Sequence, residues 1–223
     1  HEFASLVRAA NAGNGPVAPL TLCTGRPQPY VEILMKQLDI RHPAICENGA
    51  VIYTLDDNCS CYGPGVTPER IEGLKTVRAM VEYELMPRYP GAHIQFGKEA
   101  QISVYSERAD LLPIVQEEIR KFVLREGGPA LCINCSHHYV NISLASVDKG
   151  QAIKWLLDEL RIERDQTVGI GDTVGDLPLA QNVGYFACPG NAHTSILKIA
   201  DYVSPDTALD GLLDILDQPA FMV

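Results

Sequence analysis

The chain has 223 residues, 46% of them hydrophobic and 21% charged, an ordinary globular composition with room for one large domain or two small ones. Eighteen Lys and Arg against 28 Asp and Glu leave a formal net charge of −10, which argues against nucleic acid as a partner, because phosphate backbones recruit basic faces. A small anionic substrate needs only a local positive site and stays open.

No apolar run approaches the ~20 residues that span a bilayer, so no membrane partner is expected. The opening "HEFASLVRAA" has neither an initiator Met nor a basic-then-apolar leader, so His1 reads as a cut end and the protein as cytoplasmic. Along the first 52 residues helix and strand alternate. "EFASLVRAANAG" has helical spacing and stops at Gly13. "VAPLTLCT" reads as a short buried strand ending at Thr24, "PYVEILMKQLDI" as a helix, and "PAICENGAVIYTL" as strand, turn, strand.

Residues 53–145 change character: a helix over "TPERIEGLKTVRAMVEYELMPRY", a hairpin around Gly97-Lys98, a second helix over "ADLLPIVQEEIRKFVLREGG", and two strands in "PALCINCSHHYVNISLA". That order, αββαββ, is an α+β unit inserted into something else. Residues 146–223 alternate again: helix "DKGQAIKWLLDELRI", strand "QTVGIGD", helix "DLPLAQNVG", strand "YFACPG", helix "HTSILKIA", strand "DYVSP", helix "ALDGLLDIL". Alternating βα units predict an α/β core with a doubly wound, mostly parallel sheet. The core is expected over 1–52 and 146–223, with the cap over 53–145. There are seven cysteines. Several lie in apolar runs and suit free thiols of a reducing compartment. Cys132 and Cys135 of "CINC" lie in a predicted strand and point to opposite faces, which argues against a shared zinc site with "CSC".

Open parallel sheets bind ligands beyond the C-terminal ends of their strands, so three turns carry the functional signal. In "CTGRPQPY", Thr24, Gly25 and Arg26 stand where backbone N–H groups, a hydroxyl and a cation suit an anion; Thr24 can equally cap the helix. In "SVDKGQA", Asp148 reads as an N-cap and Lys149 as a cation in a first helical turn, solvated or paired with a phosphate. In "GDTVGD", Asp172 and Asp176 offer the hard oxygens that Mg²⁺ takes together with waters and a substrate phosphate. Asp176 also suits the N-cap of the helix that follows.

The order of these motifs, TGR, an inserted α+β unit, DKG, then GDxxGD, resembles the haloacid dehalogenase superfamily of aspartate-nucleophile phosphatases. It is most similar to the Cof-like and sucrose-phosphatase-like branch with an αββαββ cap. "AICENGAVIY" and "ACPGNAHTSILKIADYVS" resemble further segments of that branch. The resemblance implies that Thr24 binds the transferring phosphoryl group with Gly25 and Arg26 beside it. It gives Lys149 the neutralisation of phosphate charge, Asp172 and Asp176 the Mg²⁺, and Asn48 and Asn191 places near the substrate.

Two departures stand out. Gly175 sits where the family often has Asn. The family's DxDx[TV] motif, with its nucleophile and general acid, does not occur in the chain, and a βαβ unit of about 30 residues places its strand just before His1. A gap in the sheet, or a separate segment filling it, is the corresponding expectation.

The resemblance thus implies a Mg²⁺-dependent phosphomonoesterase acting through an aspartyl-phosphate on a small phosphorylated metabolite, a sugar phosphate or a phosphoglycolate-like ester, as a monomer or homodimer. A phosphomutase or an inactive phospho-ligand-binding module of the same fold are the alternatives. Lys98, His137 and His138, on the polar tips of the cap hairpins, are candidates for substrate selection, although polar hairpin tips are more often simply solvated.

Overall fold

The computed structural model describes residues 2–135 and 138–222. Helix α1 (Glu2–Asn11) buries Val7 and Ala10 and ends where Gly13, at φ 69°, turns the chain. Helix α2 (Gln28–Leu38) buries Val31 and Met35, one turn apart on a single face. Strand β1 (Ala44–Cys46), fully buried, passes through a tight turn at Glu47–Gly49 into β2 (Val51–Thr54). A third strand, β3 (Cys59–Tyr62), pairs antiparallel with β2 and has all four residues exposed. The sequence pattern missed it, since an exposed edge strand carries no apolar alternation. The hairpin takes this first sheet past residue 52, so the expected start of the cap falls inside β2.

The inserted unit follows. Helix α3 (Pro68–Met80) runs through a π-helical turn (Val81–Leu85) into the short α4 (Met86–Arg88). Strands β4 (Ala92–Ile94) and β5 (Gln101–Ser106), helix α5 (Leu111–Glu126), and strands β6 (Leu131–Cys135) and β7 (Tyr139–Leu144) complete it. The four strands form one antiparallel sheet, ordered β4-β5-β7-β6. The period-2 pattern of "QISVYS" and "YVNISL" gives this sheet two unlike faces. Ile102, Val104, Val140 and Ile142 are buried with Leu74 and Ile119 of α3 and α5. The opposite face carries Gln101, Ser103, Asn141 and Ser143, paired across the strands.

Helix α6 (Lys149–Leu160) returns the chain to the core, followed by β8 (Val168–Ile170), α7 (Leu177–Ala180), β9 (Tyr185–Cys188), α8 (Thr194–Leu197), β10 (Tyr202–Val203) and α9 (Ala208–Leu216). Strands β8, β9 and β10 are parallel, in the order β10-β9-β8. Among the described residues no helix is long and apolar enough to cross a membrane.

The expected strand from Val17 to Thr24 is extended, but it makes only isolated bridges, Val17 with Met222 and Cys23 with Ile45. The Ile45 N–H donates to the Leu22 carbonyl at 2.8 Å and the Thr24 N–H to the Ile45 carbonyl at 2.8 Å. In such a parallel register the N–H and C=O of Cys23 point the other way. On that side lies a groove of about 460 Å³, walled by Leu20, Thr21 and Cys23, by Val168 and Ile170 of β8, and by Ile153 of α6. The doubly wound sheet is therefore in two halves whose free edges face one another across a gap.

Glu47 and Asn48 both adopt left-handed φ, 49° and 57°. Gly49 follows at φ 104°, and a Cβ there would lie 2.2 Å from the Asp148 carbonyl oxygen. This contact sets the Glu47–Gly49 turn against the start of α6. Gly49→Ala is expected to cost about 2–3 kcal/mol from strain and displacement, whereas Gly13→Ala, with open space around it, should cost about 1 kcal/mol. Urea unfolding of both variants beside the parent checks the difference.

Candidate active site

Lys149 and Asp176 come from different elements and meet in the interior, at 8% and 4% exposure. Asp148 accepts from the Gln151 N–H at 2.9 Å, so its expected N-cap role holds, and this cap orients Lys149 in the first turn of α6. Lys149 Nζ donates to Asp176 Oδ1 at 2.5 Å. The other carboxylate oxygen of Asp176 accepts from the Asp172 N–H at 3.1 Å, the Thr173 N–H at 2.9 Å and the Thr173 hydroxyl at 3.0 Å. Thr173 and Asp176 form a reciprocal capping box across the Val174–Asp176 turn. Asp176 thus folds back on its own loop and makes no cap bond to α7. Gly171 permits the closure, since a Cβ there would fall 2.5 Å from Asp176 Cβ. Burial opposes ionisation of Asp176, but Lys149 and the Thr173 donors outweigh it and hold the carboxyl below its ordinary range.

Asp172 has the opposite character. It is exposed, and among the described residues its carboxylate has no hydrogen bond or ion pair. Its backbone carbonyl accepts from the His193 N–H at 2.8 Å, which ties the loop after β9 to this turn. Asn191, in the same loop, is exposed and accepts from the Ala208 N–H at 2.9 Å, so its side chain is occupied with local structure.

Thr24 does not cap α2, whose N-cap residue is Pro27. Its hydroxyl accepts from the Arg26 N–H at 3.2 Å, and its carbonyl accepts from the Asn48 N–H at 3.0 Å. The Asn48 amide lies over Gly25, 2.9 Å from where a Cβ would stand. Arg26 is exposed, its guanidinium 5.5 Å from the Tyr30 ring centre. Cys23, beside Thr24, feels the charges of both Lys149 and Asp176, and its burial pushes the thiol up to about 12, which keeps it protonated. The structure thus brings Thr24, Gly25, Asn48, Lys149, Asp176 and Asp172 to the C-terminal end of the split sheet. Of the other thiols, Cys46 and Cys188 are buried, while Cys59, Cys61, Cys132 and Cys135 are exposed, and none of the seven is in a disulfide.

The cap residues separate. Lys98 is not a solvated tip: it is 8% exposed, next to Gly97, which packs on Pro27 of the Thr24 loop. His138 is exposed and sits at the far end of β5, where its carbonyl accepts from the Ser106 N–H. His137 lies outside the described residues. Sequence reasoning passed over Glu47, whose buried carboxylate accepts from the Glu99 and Ala100 N–H groups at 2.9 Å each. The one cue was an acidic residue inside an otherwise apolar strand-turn-strand.

Against a model of the haloacid dehalogenase-like hydrolase family, residues 16–73 and 96–216 match. The chain belongs to the haloacid dehalogenase-like hydrolases. It is 26% identical over 201 residues to a phosphoglycolate phosphatase of Halorubrum lacusprofundi, a match covering 89% of this chain and 82% of that protein. It is also 26% identical over 199 residues to a phosphoglycolate phosphatase of Sulfolobus acidocaldarius, covering 87% and 78%. Among solved structures, a HAD subclass IIB sugar phosphatase superposes with TM-score 0.66 at 15% identity, over 97% of this chain and 90% of that one. A Thermoplasma acidophilum protein superposes with TM-score 0.70 at 21% identity, over 96% and 87%. These two likenesses carry the fold. The enzyme that the ordered motifs suggested agrees with the names of its sequence relatives.

Removing one partner of the buried pair leaves an uncompensated charge. Asp176→Asn in this hydrolase should lose about 3–5 kcal/mol of unfolding free energy, and adding Lys149→Met should recover part of it. Asp172→Ala, exposed and unpartnered, should stay within about 0.5 kcal/mol of the parent. Because the folded-state pKa of Asp176 is depressed, its contribution is present above the unfolded carboxylate value and is lost as pH falls through the lower folded one. Unfolding stability should therefore drop more steeply below about pH 4 in the parent than in Asp176→Asn.

Proposed function

We propose that the protein is a Mg²⁺-dependent phosphomonoester hydrolase of small phosphorylated metabolites, acting through an aspartyl-phosphate. The observation that carries this is the convergence of a buried, pre-oriented Lys149–Asp176 pair, a free Asp172 carboxylate and the Thr24–Gly25 turn at one end of the sheet. In this reading Thr24 and the neighbouring backbone N–H groups bind the phosphoryl oxygens, and Lys149 neutralises their charge while Asp176 holds its ammonium in place. Asn48 covers the loop and limits how the phosphoryl group enters.

The donor set suits a hard cation. Asp172 offers an unengaged carboxylate and Asp176 sits beside it, and Mg²⁺ commonly takes one or two carboxylates and keeps several waters. Magnesium bound there would offset negative charge on the phosphoryl group and the attacking carboxylate. No group among Thr24, Lys149 and Asp172 attacks phosphorus. We place the nucleophilic aspartate upstream of His1, on a strand that would occupy the groove between Cys23 and β8. Its carboxylate forms a bond to phosphorus as the bond to the ester oxygen breaks, and water then cleaves the acyl phosphate. The names of the sequence relatives favour phosphoglycolate, and that of the structural relative a sugar phosphate, as the substrate.

Calorimetric titration with Mg²⁺ should give binding to the parent and at least about tenfold weaker binding to Asp172→Ala, since that variant loses the unengaged carboxylate of this turn. Equal binding by both would remove the metal assignment. Phosphate release from 2-phosphoglycolate by a polypeptide of residues 1–223 alone would overturn the placement of the nucleophile.

A further inference from the structure

Lys98 is a buried cation that no carboxylate contacts directly among the described residues. Its ammonium donates to Gln101 Oε1 at 2.6 Å and Ser103 Oγ at 2.7 Å, both neutral acceptors. An ammonium has three N–H bonds, and among the described residues Lys98 has no ion pair. The Glu47 carboxylate attracts it through space, while the Glu47 oxygens themselves accept from the Glu99 and Ala100 N–H groups and make no hydrogen bond to the ammonium. The surroundings add positive charge. The Arg78 guanidinium donates to the Lys98 carbonyl at 2.7 Å and to the Gln101 carbonyl at 3.0 Å, and Arg26 also repels Lys98. Burial first, then these two arginines against the pull of Glu47, lowers the lysine to about 8. Enclosing a cation in this way is costly unless something anionic meets it.

Its position says what that would be. Lys98 lies in the loop between β4 and β5, at the end of the cap sheet that meets the core. Gly97 packs on Pro27, the Glu47 carboxylate grips the 99–100 backbone, and the Glu47 N–H donates to the Arg26 carbonyl at 3.0 Å. The cap loop carrying Lys98 is therefore fastened to the same turn that carries Thr24 and Gly25. Around Lys98 the cap sheet presents polar, uncharged side chains already paired with one another: Gln101 Nε2 donates to Ser143 at 2.8 Å and Ser103 Oγ to Asn141 at 2.6 Å. These fix the direction of the ammonium without neutralising it.

We propose that Lys98 is the residue by which the cap selects a phosphate ester bearing a second anionic group, a short phosphorylated hydroxy acid, with its carboxylate meeting the Lys98 ammonium beside Arg26. The inference rests on the phosphate site proposed above and adds the chemistry of the rest of the substrate. A neutral alcohol portion, as in a simple alkyl phosphate or a sugar phosphate, leaves the lysine with only the distant pull of Glu47 and gains nothing from it. Lys98 acts on binding and not on the phosphoryl group itself.

The test compares binding of inorganic phosphate, ethyl phosphate and 2-phosphoglycolate to the full chain in the presence of Mg²⁺, by calorimetry, for the parent, Lys98→Gln and Lys98→Arg. The parent should prefer 2-phosphoglycolate to ethyl phosphate by about ten- to a hundredfold, the range of a charged hydrogen bond. Lys98→Gln should lose most of that preference while binding inorganic phosphate as the parent does, which also reports that the core site is folded. Lys98→Arg should retain part of the preference. An undiminished preference in Lys98→Gln, with inorganic phosphate still bound, overturns the role of Lys98 and leaves the phosphate site standing. Failure of the parent to bind inorganic phosphate overturns both.

Discussion

The buried contact between Lys149 and Asp176 is the constraint around which the site is arranged. Two opposite charges withdrawn from water need each other and need every remaining lone pair satisfied. Asp176 meets that demand by accepting four hydrogen bonds: one from Lys149, two from Thr173 and one from the Asp172 backbone. The consequence reaches beyond the pair. The loop after β8 must curl tightly to deliver the Asp172 and Thr173 donors, so Asp172 is turned outward at the sheet's end. The start of α6 must approach that loop, and Gly49 must then yield to the Asp148 carbonyl. A carboxylate used to position its neighbours and a carboxylate left exposed and unengaged are therefore two products of one folded turn.

The link between cap and core follows similar logic with the sign reversed. Glu47 is buried on the core side, and burial raises its carboxyl while the Glu99 and Ala100 N–H groups and Lys98 oppose that rise. A carboxylate accepting two backbone N–H groups of another element is a directional fastener, and here it fixes the 98–101 loop against the Thr24 turn. The polar face of the cap sheet is thereby set toward the core, while the apolar face closes against α3 and α5. Lys98 lies in the middle of the inserted unit, far along the chain from both Thr24 and Lys149. The Glu47 contact brings the loop that carries Lys98 back against the Thr24 turn.

Much of this was legible in the sequence, and the exceptions share causes. Helices α2, α5 and α6 announce themselves by apolar spacing, and the two-faced cap strands by alternation. The TGR, DKG and GDxxGD motifs keep their order because the fold needs their loops at one end of one sheet. Asp176 reads in the sequence as a Mg²⁺ ligand or a helix cap, and its bond to Lys149 is not foreseen there, because a residue before a Pro-containing turn looks alike in all three roles. Only the approach of α6 decides. Lys98 was misplaced for a related reason: Gly97-Lys98 has the composition of a solvated hairpin tip, and nothing local says that another domain covers it. The exposed strand β3 carries too little apolar signal to be seen, and its pairing with β2 is a property of its neighbour.

The segment from Val17 to Thr24 shows how far strand character belongs to partners. Its residues have the run of Val, Leu and Cys that a buried parallel strand uses, yet it is held by β1 on one side only and presents Cys23 backbone groups to a groove. Strand β8 presents its own free edge from the opposite wall, again with apolar side chains behind it. Unpaired edges lined by apolar groups on both sides are poorly matched to water, because each backbone amide there wants a partner and each side chain wants to leave solvent. A single extended segment running parallel to both would satisfy the two edges at once and cover Ile153 beneath. It would also end beside Lys149 and Asp172, since the C-terminal ends of Val17–Thr24 and β8 lie there. The two facing edges and the attacking group that the proposed mechanism needs would thus be met by the same piece of chain in the same orientation.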